Sequence, residues 1–170
     1  MGSGKSSVGR RIAANAGHRF VDTDEVVASR AGQSITQIFA KHGEAHFRDL
    51  ETKALESLAG ETGIVLATGG GIILREENRA ALRRLGPMVW LDADPDVLFE
   101  RVSRNKKRPL LQNANPRAAF DALLAARREI YTAAADVRID STELSHDAAA
   151  RLALEEALRV VELDPGRFDS

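Results

Sequence analysis

The chain has no cysteine. That absence removes disulfides, thiolate nucleophiles and Cys-based zinc sites, and it fits a reducing compartment. Four scattered histidines do not replace such ligands. No apolar run approaches the ~18 residues of a membrane span, and the N-terminus lacks the basic, apolar, small-residue order of a signal peptide. A formal net charge of -1 provides no electrostatic reason to expect nucleic acid or an anionic membrane as partner. There are no internal repeats and no low-complexity linker. What is present is ordinary for a globular protein: 170 residues, 44% hydrophobic and 29% charged, enough to bury one core. A single domain over 1–170 is expected, in the cytoplasm.

Short apolar runs at 18–22, 63–67, 88–92 and 137–140 read as buried strands, and the stretches between them carry helical periodicity. Helix starts are marked locally. Ser34 and Gln37 make a capping box, while Asp94-Pro95 and Asn115-Pro116 each set a capping side chain before a first-turn proline. Alternating strand and helix implies an α/β fold with a parallel sheet. The last helix is expected over 145–163, followed by a frayed tail. Residues 24–53 hold too much chain for a minimal crossover and read as a substrate-binding insertion over the carboxyl edge of the sheet. Residues 104–115, rich in Lys, Arg, Asn and Pro, read as a lid.

Gly2-Ser3-Gly4-Lys5-Ser6 is the distal part of GxxxxGK[ST], whose small residues let backbone N–H groups wrap phosphates. Lys5 is placed to reach the β and γ phosphates, Ser6 to ligate magnesium, and the helix starting near Lys5 to point its positive end at the anion. A flexible Gly/Ser start is the plain alternative. The first glycine of the motif would lie two residues before Met1, and the apolar strand expected ahead of the loop is missing. The chain is therefore expected to be truncated, with its two neighbouring strands left exposed.

Asp22 and Asp24 follow an apolar strand, so one carboxylate can hold a metal-bound water while the other meets an attacking hydroxyl; either can instead cap the next helix. Arg48 and Glu51, three apart on a helix, form a surface pair or grip a substrate carboxylate and a ring hydroxyl. Phe39 and Phe47 wall a ring or simply pack in the core. Gly69-Gly70-Gly71 closes another apolar strand, where backbone can approach a ligand that side chains would block. The basic set Arg101, Arg104, Lys106, Lys107, Arg108, Arg127 and Arg128 is a solvated surface or a source of charge for a moving phosphoryl group, with Arg108 favoured.

In this order, Gly-Ser-Gly-Lys-Ser, Asp-Thr-Asp, Phe-Arg-x-x-Glu, Gly-Gly-Gly, Arg-Pro-Leu-Leu and Arg-x-x-x-Tyr, the motifs resemble the shikimate kinase family from Gly2 to about Tyr131. The resemblance implies a three-layer αβα P-loop NTPase fold with a five-stranded parallel sheet, the first strand missing here. It implies transfer of the γ-phosphate of ATP to the 3-hydroxyl of shikimate in aromatic amino-acid biosynthesis, with Mg2+. Gly2, Ser3, Gly4, Lys5, Ser6 and Ser7 would bind ATP, with Arg101 on the adenine and Arg108 reaching from the lid. Ser6 and Asp22 would hold the metal. Lys5, Asp22, Asp24 and Arg108 would be catalytic, and Asp24, Arg48, Glu51, Gly69, Gly70, Gly71 and Arg127 would bind shikimate. A monomer without nucleic-acid or membrane partners is expected. Glu129 departs from a proline common in the family, and the adenine loop near 140–143 stays unassigned. Another small-molecule P-loop kinase, such as a gluconate or nucleoside monophosphate kinase, and a catalytically inactive nucleotide-binding module remain the alternatives.

Overall fold

A computed structural model of the chain describes residues 2–104 and 114–168. The chain runs α1 (Lys5–Ala16), β1 (Arg19–Asp22), α2 (Thr23–Ala31), α3 (Ile35–Glu56) and β2 (Ile64–Ala67), then a 3-10 turn at Ile72–Leu74. It continues through α4 (Glu76–Leu85), β3 (Val89–Asp92), α5 (Pro95–Ser103), α6 (Pro116–Ala134), β4 (Val137–Asp140) and α7 (His146–Leu163). Every expected strand is present within a residue of its expected start. The caps form as read. Ser34 and Gln37 bond each other's backbone N–H, Asp94 accepts from Asp96 N at 2.8 Å, and Asn115 accepts from Ala118 N at 3.1 Å.

All pairing among the described residues is parallel, β1 with β2 and β3 with β4. Strand alternation distributes the helices to two faces. On one, Leu91 of β3 packs with Val8 and Ile12 of α1 and with Ala149 and Ala150 of α7. On the other, Leu66 of β2 joins Leu55, Leu82 and Ile130 from α3, α4 and α6, and Trp90 stacks on Tyr131 of α6 with 5.4 Å between ring centroids. The result is three layers, helix on sheet on helix.

The sheet is split between β2 and β3. An apolar cavity of about 460 Å3 lies there, lined along both strands by residues such as Val65, Leu66, Trp90 and Leu91 and closed by Ile12 and Leu154 from helices. β2 and β3 are not hydrogen-bonded to each other.

Residues 24–53 lie in two helices, α2 and α3, and α3 is broken at Gly43, where φ is 78° and ψ is -179°. The expected frayed tail is corrected: Pro165–Phe168 forms a 3-10 turn, anchored by Arg167 donating to Asp136 at 2.7 Å. Among the described residues no helix is long and apolar enough to cross a membrane.

Beside the sheet, Phe120 is fully buried among Ala93, Leu98 and Val102, with its ring 5.4 Å from Phe99. Phe120→Ala is expected to lower unfolding free energy by about 3–5 kcal/mol in urea titration. A loss below about 1 kcal/mol would show that this cluster is not packed as described.

Candidate functional site

The site begins where α1 begins. Gly4 caps the helix in the left-handed region at φ 79°, without a side-chain hydrogen bond to the first-turn amides, and no acidic residue sits in that turn. Val8 N donates to Gly4 O, so Gly4 closes the first turn and the leading amides of α1 point out of its N-terminal end. Such an end attracts anions through its amides and the dipole. Lys5 stands in the first position of this helix. Gly2 lies against α5, where a Cβ would come within 2.9 Å of the Leu98 carbonyl.

Ser6 donates its hydroxyl to Asp22 Oδ2 at 2.8 Å, bringing the phosphate loop to the end of β1. Asp22 also caps α2, accepting from Asp24 N at 3.0 Å. Of the two aspartates, the capping alternative therefore belongs to Asp22, and it coexists with the contact to Ser6. Asp24 is in the first turn of α2 rather than on the strand. Strand alternation thus does not set its direction; the helix turn does. Thr23 between them is fully buried and accepts from Gly69 N at 3.0 Å, which ties the glycine loop to this corner.

Arg48 and Glu51 do pair, but not on the surface. Arg48 Nη1 donates to Glu51 Oε2 at 2.6 Å, with side chains 14% and 1% exposed. A buried ion pair carries a desolvation cost that the attraction barely offsets, so stability alone is a poor reason for one. Burial pushes the Glu51 carboxyl above its usual value; Arg48 pulls it down, and the negative Asp24 pushes it up again. Burial works against the Arg48 charge, but hydrogen bonds to Glu51 and Glu44 outweigh it and hold the guanidinium above its ordinary value. Beneath it Phe47 is core, packed with Val27 and Ile38, whereas Phe39 is the exposed member of the aromatic pair.

The three glycines explain how these groups meet. None of them has positive φ, so flexibility is not what they contribute. Space is. A Cβ on Gly69 would lie 2.8 Å from Glu51 Oε1 and 3.0 Å from Asp24 Oδ1. On Gly70 it would lie 3.1 Å from the Tyr131 hydroxyl and 3.6 Å from Arg127 Nη1. On Gly71 it would lie 2.5 Å from Arg48 Cζ, inside the guanidinium. One bare stretch of backbone therefore gathers Asp24, Glu51, Arg127, Tyr131 and Arg48 from three helices. Tyr131 and Arg127 fix it from above, donating to Gly70 O at 2.7 and 3.3 Å.

Arg101 lies apart from this cluster and donates to the Thr142 carbonyl at 3.4 Å. That contact marks the 140–143 turn, unassigned from sequence, as the wall next to Arg101. His146 at the start of α7 borders the phosphate loop, 2.9 Å from the place of a Gly4 Cβ. Neither Thr142 nor His146 carries a motif. Tyr131 could have been found, since it ends Arg-x-x-x-Tyr, one helical turn beyond Arg127. Arg104 pairs with Glu100 on the surface, and Arg128 covers the Trp90 ring at 5.9 Å. Lys106, Lys107 and Arg108 lie outside the described residues. Among the described residues no three His, Asp or Glu side chains group to hold a metal ion.

The family model described as "Shikimate kinase" matches residues 1–158. A shikimate kinase of Nitrobacter winogradskyi is 46% identical over 147 residues, 86% of this chain and 68% of the relative. One from Synechococcus sp. (strain JA-3-3Ab) is 50% identical over 140 residues, 82% of this chain and 73% of the relative. Among solved structures, a shikimate kinase from Acinetobacter baumannii in complex with shikimate superposes with a TM-score of 0.84 at 36% identity, covering 96% of this chain and 90% of the other. One from Aquifex aeolicus gives 0.78 at 35% identity, covering 98% and 95%. The three-layer arrangement is thus the P-loop NTPase fold.

Gly71 has an ordinary right-handed backbone, φ -102° and ψ -5°, so Gly71→Ala tests space alone. The variant is expected to keep its melting temperature within a few degrees yet to bind a carboxylate-bearing ligand about tenfold or more weakly by calorimetry, because the Arg48 guanidinium must move. Undiminished binding would show that Arg48 does not act from this position.

Proposed function

The chain belongs to the shikimate kinase family and is an ATP-dependent phosphotransferase acting on shikimate; on that premise we propose how its residues divide the work. The α1 end takes the phosphates, with backbone amides from Gly2 to Ser7 around them and Lys5 beside the β and γ groups. Ser6 Oγ and Asp22 Oδ2, 2.8 Å apart, are adjacent hard oxygen donors. They suit Mg2+, which takes few protein ligands and keeps waters and phosphate oxygens. When bound, the ion neutralises phosphate charge; the protein's part is to hold it beside Lys5.

Shikimate occupies the space around the glycine loop. Arg48 and Arg127 take its carboxylate, as a planar fork suits a planar anion. Asp24 orients the attacking hydroxyl and accepts its proton as the phosphoryl group transfers. Glu51 keeps Arg48 in place and faces a ring hydroxyl, and Gly69, Gly70 and Gly71 line the floor. Arg101 borders the adenine. Arg108 supplies charge from the lid, a role that rests on the sequence motif. A monomer acting in the cytoplasm is part of the same proposal.

The observation that carries this reading is the convergence of Asp24, Arg48 and Arg127 on one loop, next to a phosphate end joined to it through Ser6 and Asp22. A coupled ADP-release assay with shikimate, gluconate or a nucleoside monophosphate as acceptor tests it. Shikimate alone should support turnover; binding of ATP and shikimate without ADP release would favour an inactive module. Arg48→Ala is expected to raise KM for shikimate about 10- to 100-fold with KM for ATP little changed. Lys5→Ala should act instead on kcat, since its charge counts most while the phosphoryl group is in flight. An unaltered kcat would remove that role from Lys5.

A further inference from the structure

Arg48 is engaged by two carboxylates of its own helix. Nη1 donates to the buried Glu51, and Nη2 donates to Glu44 Oε1 at 2.7 Å. The two partners differ in kind. Glu51 is 1% exposed and approaches from inside, whereas the Glu44 side chain is 62% exposed and approaches from solvent. The guanidinium edge that carries Nη2 also carries Nε, which is buried and has no hydrogen-bond partner. Glu44 therefore makes a single contact on an edge shaped for two. A carboxylate seated in a fork there would satisfy both donors, a stronger arrangement than one point contact.

Glu44 is also built to let go. The break in α3 falls at Gly43, immediately before it, in a backbone region open essentially to glycine and with nothing within 4 Å of a Cβ position. No neighbouring group packs over the break at that position. Because the helix resumes at this point, Glu44 lies in a first turn, where a carboxylate is stabilised by the free amides even after it releases an arginine.

We propose that Glu44 is an internal stand-in for the substrate carboxylate, which engages Arg48 Nη2 and must be displaced when the acid substrate binds. The inference rests on the assignment of Arg48 to the shikimate carboxylate. Glu44 thereby sets affinity for the acid group without entering the chemistry. Removing it frees Arg48, which Glu51 continues to hold in place.

The test compares wild type with Glu44→Gln, which keeps a neutral acceptor, and Glu44→Ala, which keeps a good helix former. Both changes are on an exposed side chain. KM for shikimate should fall about two- to tenfold, further for Ala than for Gln, with kcat and KM for ATP unchanged. Calorimetric affinity for the same ring bearing a hydroxymethyl group in place of the carboxylate should not change. An unchanged or raised KM for shikimate in both variants would overturn the proposal while leaving the site assignment standing. Failure of the wild type to saturate with shikimate would overturn both.

Discussion

Three residues without side chains organise the site. Steric crowding is the controlling constraint: at 69 and 71 the β-carbon position is already taken by a charged group from another element, and at 70 a hydroxyl crowds it. Asp24 and Glu51 meet over the first, Tyr131 and Arg127 over the second, and Arg48 over the third. Groups of like and unlike charge are thereby brought within a few ångströms in a largely dry corner, where electrostatic interactions are stronger than in water. The loop itself is fixed by Thr23 below and by Tyr131 above. Phosphoryl transfer depends mainly on positioning and charge, the two quantities that the proposed site would draw from this loop.

Charge distribution within this corner is deliberately unbalanced. Arg48 has a buried partner in Glu51 and an exposed one in Glu44, which together keep the guanidinium charged and oriented. Glu51 is held by the same pair against a burial that favours its neutral form. The cost of such a pair in stability is acceptable where the site needs an oriented cation.

The other half of the crevice depends on the helix end rather than on side chains. Glycine in the left-handed region at residue 4 turns the chain so that the first amides of α1 face outward, and the bond from Ser6 to Asp22 joins this end to β1. The sheet behind is split, with an apolar cavity between β2 and β3. Both layers of helices nevertheless pack on it through Leu91 on one face and Leu66 on the other.

Local chemistry was legible in the sequence. Strands, capping residues and the phosphate loop follow from hydrogen-bonding patterns that span a few residues, and each stands where that pattern puts it. The order of the short motifs also pointed to the family that the comparisons show. What only tertiary structure decided is which of these residues share space. Tyr131 reaches Gly70 across 61 positions, and Arg101 finds the 140–143 turn across 41, both through helix packing on the sheet. The glycines were read for their openness to ligand; that they also make room for Glu51, Tyr131 and Arg48 is visible only in three dimensions. Periodicity along a chain reports one element's buried face; it does not report the neighbour that fills it.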